Sequence, residues 1–214
     1  MKNPSNTHLA LEYLLIFWLA PLVLAWGIAP IHPFPLLLTA SALCLVALLK
    51  SKTFDQRAFF RVGDFRTGLR PVLLVFLPAA LLLLAGTALF APNILFAFPR
   101  RHPLLWLLVL LLYPFFSVYP QGLTHRAFIF HRYQPLFGQG WVMVLAAAAA
   151  FSFMHVVLKN PLALILTFIG GLLFGRTYLR TGSLVISGVE HALYGALLFT
   201  LGLGKYLYVT APRL

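Results

Sequence analysis

The sequence predicts an all-α polytopic membrane protein, a bundle of about seven or eight transmembrane helices. Three observations carry this. Of 214 residues, 61% are hydrophobic and only 9% are charged, where a soluble domain carries about 25% charged residues. Mean hydropathy is +0.92. Several nearly uncharged runs reach the roughly 17–25 residues that cross a hydrocarbon core.

The first span is expected over 9–28, after a polar tail, with Pro21 interrupting it. Pro30, Pro33 and Pro35 mark a turn. A second span over 36–49 is short for a straight crossing and can begin nearer Pro33. Residues 50–70 carry Lys50, Lys52, Arg57, Arg61, Arg66 and Arg70 against Asp55 and Asp64. This is the strongest positive-inside signal, and it assigns the loop and the N-terminus to the cytoplasmic side of the cell membrane. A third span covers 71–90; Arg100, Arg101 and Lys159 then fall on the opposite side.

The fourth span starts at Pro103 and reaches Tyr119, with Pro114 and Pro120 bending it. A polar island follows, its helix continuing to about Tyr133; a separate crossing of this island makes the count eight. Residues 134–140, with Pro135, Gly138 and Gly140, read as a loop. Spans over 141–157, 162–179 and 183–203 follow, joined at Asn160-Pro161 and Thr181-Gly182. The chain thus divides into 1–102, with three spans and the basic loop, and 103–214.

The formal net charge is +12, with Glu12, Asp55, Asp64 and Glu190 the four acids. The basic residues sit at segment ends, which fits anionic lipids as partners rather than nucleic acid. Cys44, alone in an apolar run, reads as packing. Glu12 and the lack of a small-residue cleavage site argue against a signal peptide. The alanine run 146–150 and Gly170, Gly171 and Gly175 predict close approach of the fifth and sixth spans.

Three polar islands stand out in the apolar second half: 119–133 with Gln121, His125 and Arg126, then 151–155 with His155, and 190–195 with Glu190 and His191. Ionisable groups inside membrane segments are costly and point to function. Phe151 and His155 share a helix face, as do His191 and Gly195. Imidazoles on two helices can converge to polarise a carbonyl, orient water or bind metal. Arg126 needs a partner, and Glu190, the only acid of the second half, serves either as that partner or in catalysis. A metal site of His125, His155 and His191 is geometrically possible, but no HExxH pair or acidic ligand accompanies it. No metal and no cofactor is expected.

In this order the islands resemble the CPBP family of intramembrane proteases, which includes the CAAX prenyl endopeptidases and the bacterial Abi proteins. The family pattern is Glu-Glu-x-x-x-Arg, Phe-x-x-x-His, and His-x-x-x-Asn or Asp. Here the counterparts are Gln121-Gly122 with Arg126, Phe151 with His155, and His191 with Gly195. The segment 170–184 also looks like the family's approach to its last motif, and the likeness covers about 103–204. It implies a catalytic core over the second half, with water activated by the second glutamate and the histidines aiding it or stabilising an oxyanion. His155 and His191 are retained, but the activating glutamate falls on Gly122 and its neighbour on Gln121. A glutamate at 122 would face Arg126 one turn on. Its replacement leaves His155 or His191 as base with the other as electrophile, Glu190 as base, or a water bridging Gln121 and the histidines. Phe151, His125, Tyr194 and Gly195 are expected to face substrate.

Three functions follow. The first is an intramembrane endopeptidase acting on membrane-associated peptides or proteins; prenylated substrates are implied by the family name alone. The second is a catalytically impaired relative that binds such a segment without cutting it, motivated by Gly122 and Gly195. The third is a small transporter or channel, motivated only by intramembrane polar residues.

Overall fold

The computed structural model describes residues 4–28, 32–62 and 66–208. Pro30 of the expected turn, Asp64 of the basic loop and the extreme tails lie outside the described residues. Among the described residues, seven helices are long and apolar enough to cross a membrane. They are α1 (Asn6–Ala25), α2 (Pro33–Lys50), α3 (Leu69–Phe90), α4 (Pro103–Arg132), α5 (Trp141–Leu158), α6 (Pro161–Thr181) and α7 (Leu184–Leu201). No strand occurs among the described residues. The all-α bundle is as expected, with seven spans rather than eight.

The count is seven because the fourth span and the first polar island form one helix. Pro114 and Pro120 each remove a backbone donor. The helix absorbs them by widening to π-helical turns at Pro114–Val118 and Leu123–Phe128, which bend a helix without ending it. In α1 a π segment at Leu15–Leu19 likewise precedes Pro21. The expected loop after α4 contains a helical turn, Gln134–Phe137, before Gly138 turns the chain at φ 70°.

Helix ends follow local chemistry. His32 Nδ1 accepts from the Phe34 N–H at 3.3 Å, so α2 begins at Pro33. Asn160 Oδ1 caps α6 through the Leu162 N–H at 2.9 Å, with Pro161 in the first turn. Ser183 Oγ caps α7 through the Ile186 N–H at 3.0 Å. Such caps satisfy donors that the helix itself leaves orphaned.

The tightest pairing is α5 on α6. A Cβ on Gly171 would lie 2.8 Å from Ala148 Cα, and one on Gly175 would lie 3.3 Å from Val144 Cγ1. The small residues therefore bring two backbones together, as their pattern predicts. The lipid-facing side is elsewhere: Leu77, Leu81 and Leu89 of α3 are 58%, 67% and 75% exposed. Only 11% of the α3 span is buried against 50% of α7, so α7 is the central helix and α3 a peripheral one.

The loop after α2 closes one end. Asp55 accepts from the Arg57 N–H at 3.0 Å and pairs with Arg61. Arg61 donates to Gly182 O at 3.3 Å, and Ser183 Oγ donates to Arg61 O. The Arg57 N–H first, then the Arg61 side chain, hold the Asp55 carboxyl below its ordinary range. This anchor is therefore present above the unfolded carboxylate range and fades as pH falls through the folded one. At the same end Glu12 accepts from Arg132 Nε and Nη2 at 2.9 and 2.6 Å and from Tyr133 OH at 3.1 Å. This clasp, with Leu9, Tyr13 and Phe17 packed on Ile129, Tyr133 and Met143, fixes α1 against α4 and α5.

Candidate active site

A cavity of about 240 Å³ opens between α3, α4, α5, α6 and α7. Its walls are largely apolar, including Leu82, Leu166, Leu173 and Leu198. The polar groups facing it come from Tyr113, Ser117 and Gln121 on α4, His155 on α5, Thr167 on α6, and His191 and Tyr194 on α7. An apolar chamber with a few convergent polar groups is the usual form of a binding or reactive site.

Phe151 organises the imidazoles. Its ring centroid lies 5.6, 5.0 and 5.4 Å from those of His125, His155 and His191, each at a steep interplanar angle. The two histidines on different helices thus converge, as expected. His155 follows the last α-helical residue of its segment, in a 3-10 turn. Its Nδ1–H donates to Phe151 O at 2.8 Å. A carbonyl only accepts, so the neutral ring carries its lone pair on Nε2.

His191 stacks on Phe174, centroids 4.5 Å apart at 20°. Its Nε2 shares a 3.1 Å hydrogen bond with Tyr113 OH, and its buried Nδ1 has no partner among the described residues. Tyr113 is the residue that sequence reasoning missed. A Cβ built on Gly195 would lie 2.5 Å from Tyr113 OH and 2.6 Å from its Cζ. The phenol therefore occupies the space that a side chain at 195 would need. A signal for it existed: Tyr113, Ser117 and Gln121 recur every four residues, one polar stripe down an otherwise apolar helix.

Gln121 Nε2 donates to Ser117 Oγ at 2.7 Å, and its buried Oε1 has no partner among the described residues. Beside it, a Cβ on Gly122 would meet Arg126 Nη2 at 2.5 Å and Leu184 Cδ1 at 2.9 Å. The guanidinium of Arg126, 4% exposed, thus folds back over the bare glycine. Its Nη2 donates a long bond to Val118 O at 3.4 Å, and its Cζ lies 5.6 Å from the Phe174 centroid.

The Arg126–Glu190 ion pair, one of the two roles expected of Glu190, is not made. Arg126 Nε and Glu190 Oε2 are both buried without a hydrogen-bond partner among the described residues. The arginine is drawn into the room left at Gly122, while Glu190 lies beside Thr177 of α6.

Of the ten predicted site residues, Gln121, Phe151, His155, His191, Tyr194 and Gly195 line the cavity, while Gly122, His125, Arg126 and Glu190 lie outside its lining. His125, expected to face substrate, is instead wedged between Phe17 and Phe151. Its Nδ1 bonds to Thr124 Oγ1 and Gln121 O. Among the described residues no three His, Cys, Asp or Glu side chains group around a metal-sized position; the Phe151 ring separates the imidazoles that such a site would need.

A protein-family model, type II CAAX prenyl endopeptidase Rce1-like, matches residues 102–197. This stretch holds α4, α5, α6 and most of α7, and so all three polar islands and Tyr113. The chain is similar to that family over this region. No curated protein and no solved structure matches the chain.

Proposed function

We propose that the protein is an intramembrane endopeptidase that hydrolyses a peptide bond of a membrane-associated polypeptide, with 103–214 as its catalytic core. The observation that carries the reading is His155: its Nδ1–H is fixed on Phe151 O, and the residue lines an apolar cavity. This arrangement is that of a general base. Water held at His155 Nε2 attacks the carbonyl carbon as Nε2 takes its proton. Tyr113 OH, steadied by His191, donates to the oxyanion. When the C–N bond breaks, the imidazolium returns the proton to the leaving amine. The family likeness over 102–197 supports the peptide bond as target. The basic loop supports a cytoplasmic N-terminus.

The test is purified protein in liposomes with doubly labelled membrane-anchored peptides, products identified by mass as the two halves plus one water. Cleavage that disappears in His155→Ala supports the reading. Intact peptides across the panel overturn it.

A second reading is favoured by one observation, the arginine folded over Gly122 where the family carries its water-activating glutamate. On this reading the cavity receives the same segment and holds it uncut. Photocrosslinking of an intact peptide from a probe at Tyr194 is then the expected result, and no crosslink the contrary one.

A further inference from the structure

A second, larger cavity lies at the end of the bundle away from the basic loop. It measures about 640 Å³, within the roughly 300–1,000 Å³ of ligand sites. Its lining is graded along the helix axes. At the helix ends stand Asn93, Arg101, His102 and Lys205, and deeper in lie Leu105, Val109 and Phe199. Leu105 and Val109 lie one turn apart on α4, while Arg101 ends the preceding helical turn Ala97–Arg101, with His102 at φ −138° between the two helices.

The polar rim is exposed, and Leu105 is 51% exposed, so the chamber is open toward the bilayer as well as toward its surface. Lys205 Nζ is held 4.7 Å from the Tyr206 ring centroid. Trp106 Nε1 donates to Thr200 Oγ1 at 3.1 Å, tying α4 to α7 beside the chamber. Gly202 packs directly on Ile94 O, with no room for a Cβ. The walls are therefore fixed by the fold rather than by long side chains alone.

We propose that this chamber binds one anionic phospholipid. Its phosphate sits among Arg101, His102 and Lys205, and its upper acyl chain runs along Leu105, Val109 and Phe199. Two basic side chains at one mouth favour a negative headgroup over a zwitterionic one. A free inorganic anion would match the rim but leave the apolar depth unused. Phe199 lines both cavities and packs edge-on against Tyr113 at 5.4 Å, so the lipid would press the wall that carries the phenol. The assignment is independent of whether the first cavity hydrolyses or only binds.

Native mass spectrometry of the full chain in detergent, titrated with phosphatidylglycerol or phosphatidylcholine, tests it. The expected result is one retained phosphatidylglycerol at about tenfold lower concentration than phosphatidylcholine. The preference disappears in Arg101→Gln/Lys205→Gln and persists in Lys52→Gln/Arg57→Gln on the basic loop. Equal retention of both lipids, a preference unchanged by Arg101→Gln/Lys205→Gln, or one lost equally in both variants overturns the site. So does displacement of the lipid by equimolar inorganic phosphate, which would assign the rim to a free anion. Should the first double variant fail to fold, Val109→Trp fills the apolar depth instead, and unchanged lipid retention there counts against the proposal.

Discussion

Gly122 on α4 and Gly195 on α7 both lack a side chain beside the polar islands, and the bundle fills the two gaps differently. At Gly195 the filler comes from another helix: Tyr113 reaches across from α4 to α7 and places its hydroxyl 3.1 Å from His191 Nε2, in a cavity wall. At Gly122 the filler is local, Arg126 one turn along the same helix, with one buried nitrogen unpartnered and no place in the cavity lining. The first exchange keeps a hydrogen-bonding group at the imidazole. The second leaves a buried guanidinium over the bare glycine. A gap filled by a cavity-facing phenol and one filled by an unpartnered cation thus lie close together, and in the proposed mechanism proton transfer falls to His155.

The largest effect belongs to the proposed base. His155→Ala should lower the cleavage rate by about 10²–10⁴-fold, read as product per time in liposomes; an unchanged rate would move the base elsewhere. Next comes the phenol-filled gap. Tyr113→Phe should cost on the order of 10²-fold in kcat with KM nearly unchanged, since the ring and its packing remain. A loss confined to KM would make Tyr113 a packing residue only.

Stability separates the two gaps further. Gly195→Asn drives a side chain into the phenol and should cost about 1–3 kcal/mol, seen as a lower unfolding temperature. Adding Tyr113→Leu should recover part of that loss, because the two positions share one space. Strict additivity would break the pairing of Tyr113 with Gly195. Gly122→Glu should do the reverse. Arg126 Nη2 and Leu184 Cδ1, the atoms in its way, are free ends of flexible side chains, and the new carboxylate can partner the buried cation. Stability should rise by on the order of 1 kcal/mol; a fall would mean that Arg126 is already satisfied. Comparable in size is Glu12→Gln outside the site, which weakens the part-buried bonds from Arg132 and Tyr133 by about 1 kcal/mol, measured by thermal unfolding.

Much of this architecture was legible in the chain. Hydropathy and the Asn160-Pro161 and Thr181-Gly182 punctuation located the spans. The alanine run and Gly171 foretold the α5–α6 contact, and Phe151-x-x-x-His155 with His191 foretold the converging imidazoles. What escaped was non-local. Tyr113 looked like part of a leucine-rich run because only the packing of α4 on α7 sets its ring against Gly195. Glu12 had no visible partner because Arg132 lies 120 positions away. An Arg126–Glu190 pair was one of two roles open to Glu190 on charge alone, without the room at Gly122 that draws the guanidinium aside. The one-piece α4 was uncertain for a local reason, since π turns absorb prolines that a periodic reading counts as breaks.

The most direct test compares the chain as it stands with Gly122→Glu in liposomes under identical conditions, using His155→Ala as the blank. The expected result is cleavage by the unaltered chain that vanishes in the blank, with His155 as the base. Cleavage that appears only in Gly122→Glu would contradict it and leave the unaltered protein as a holder of membrane segments.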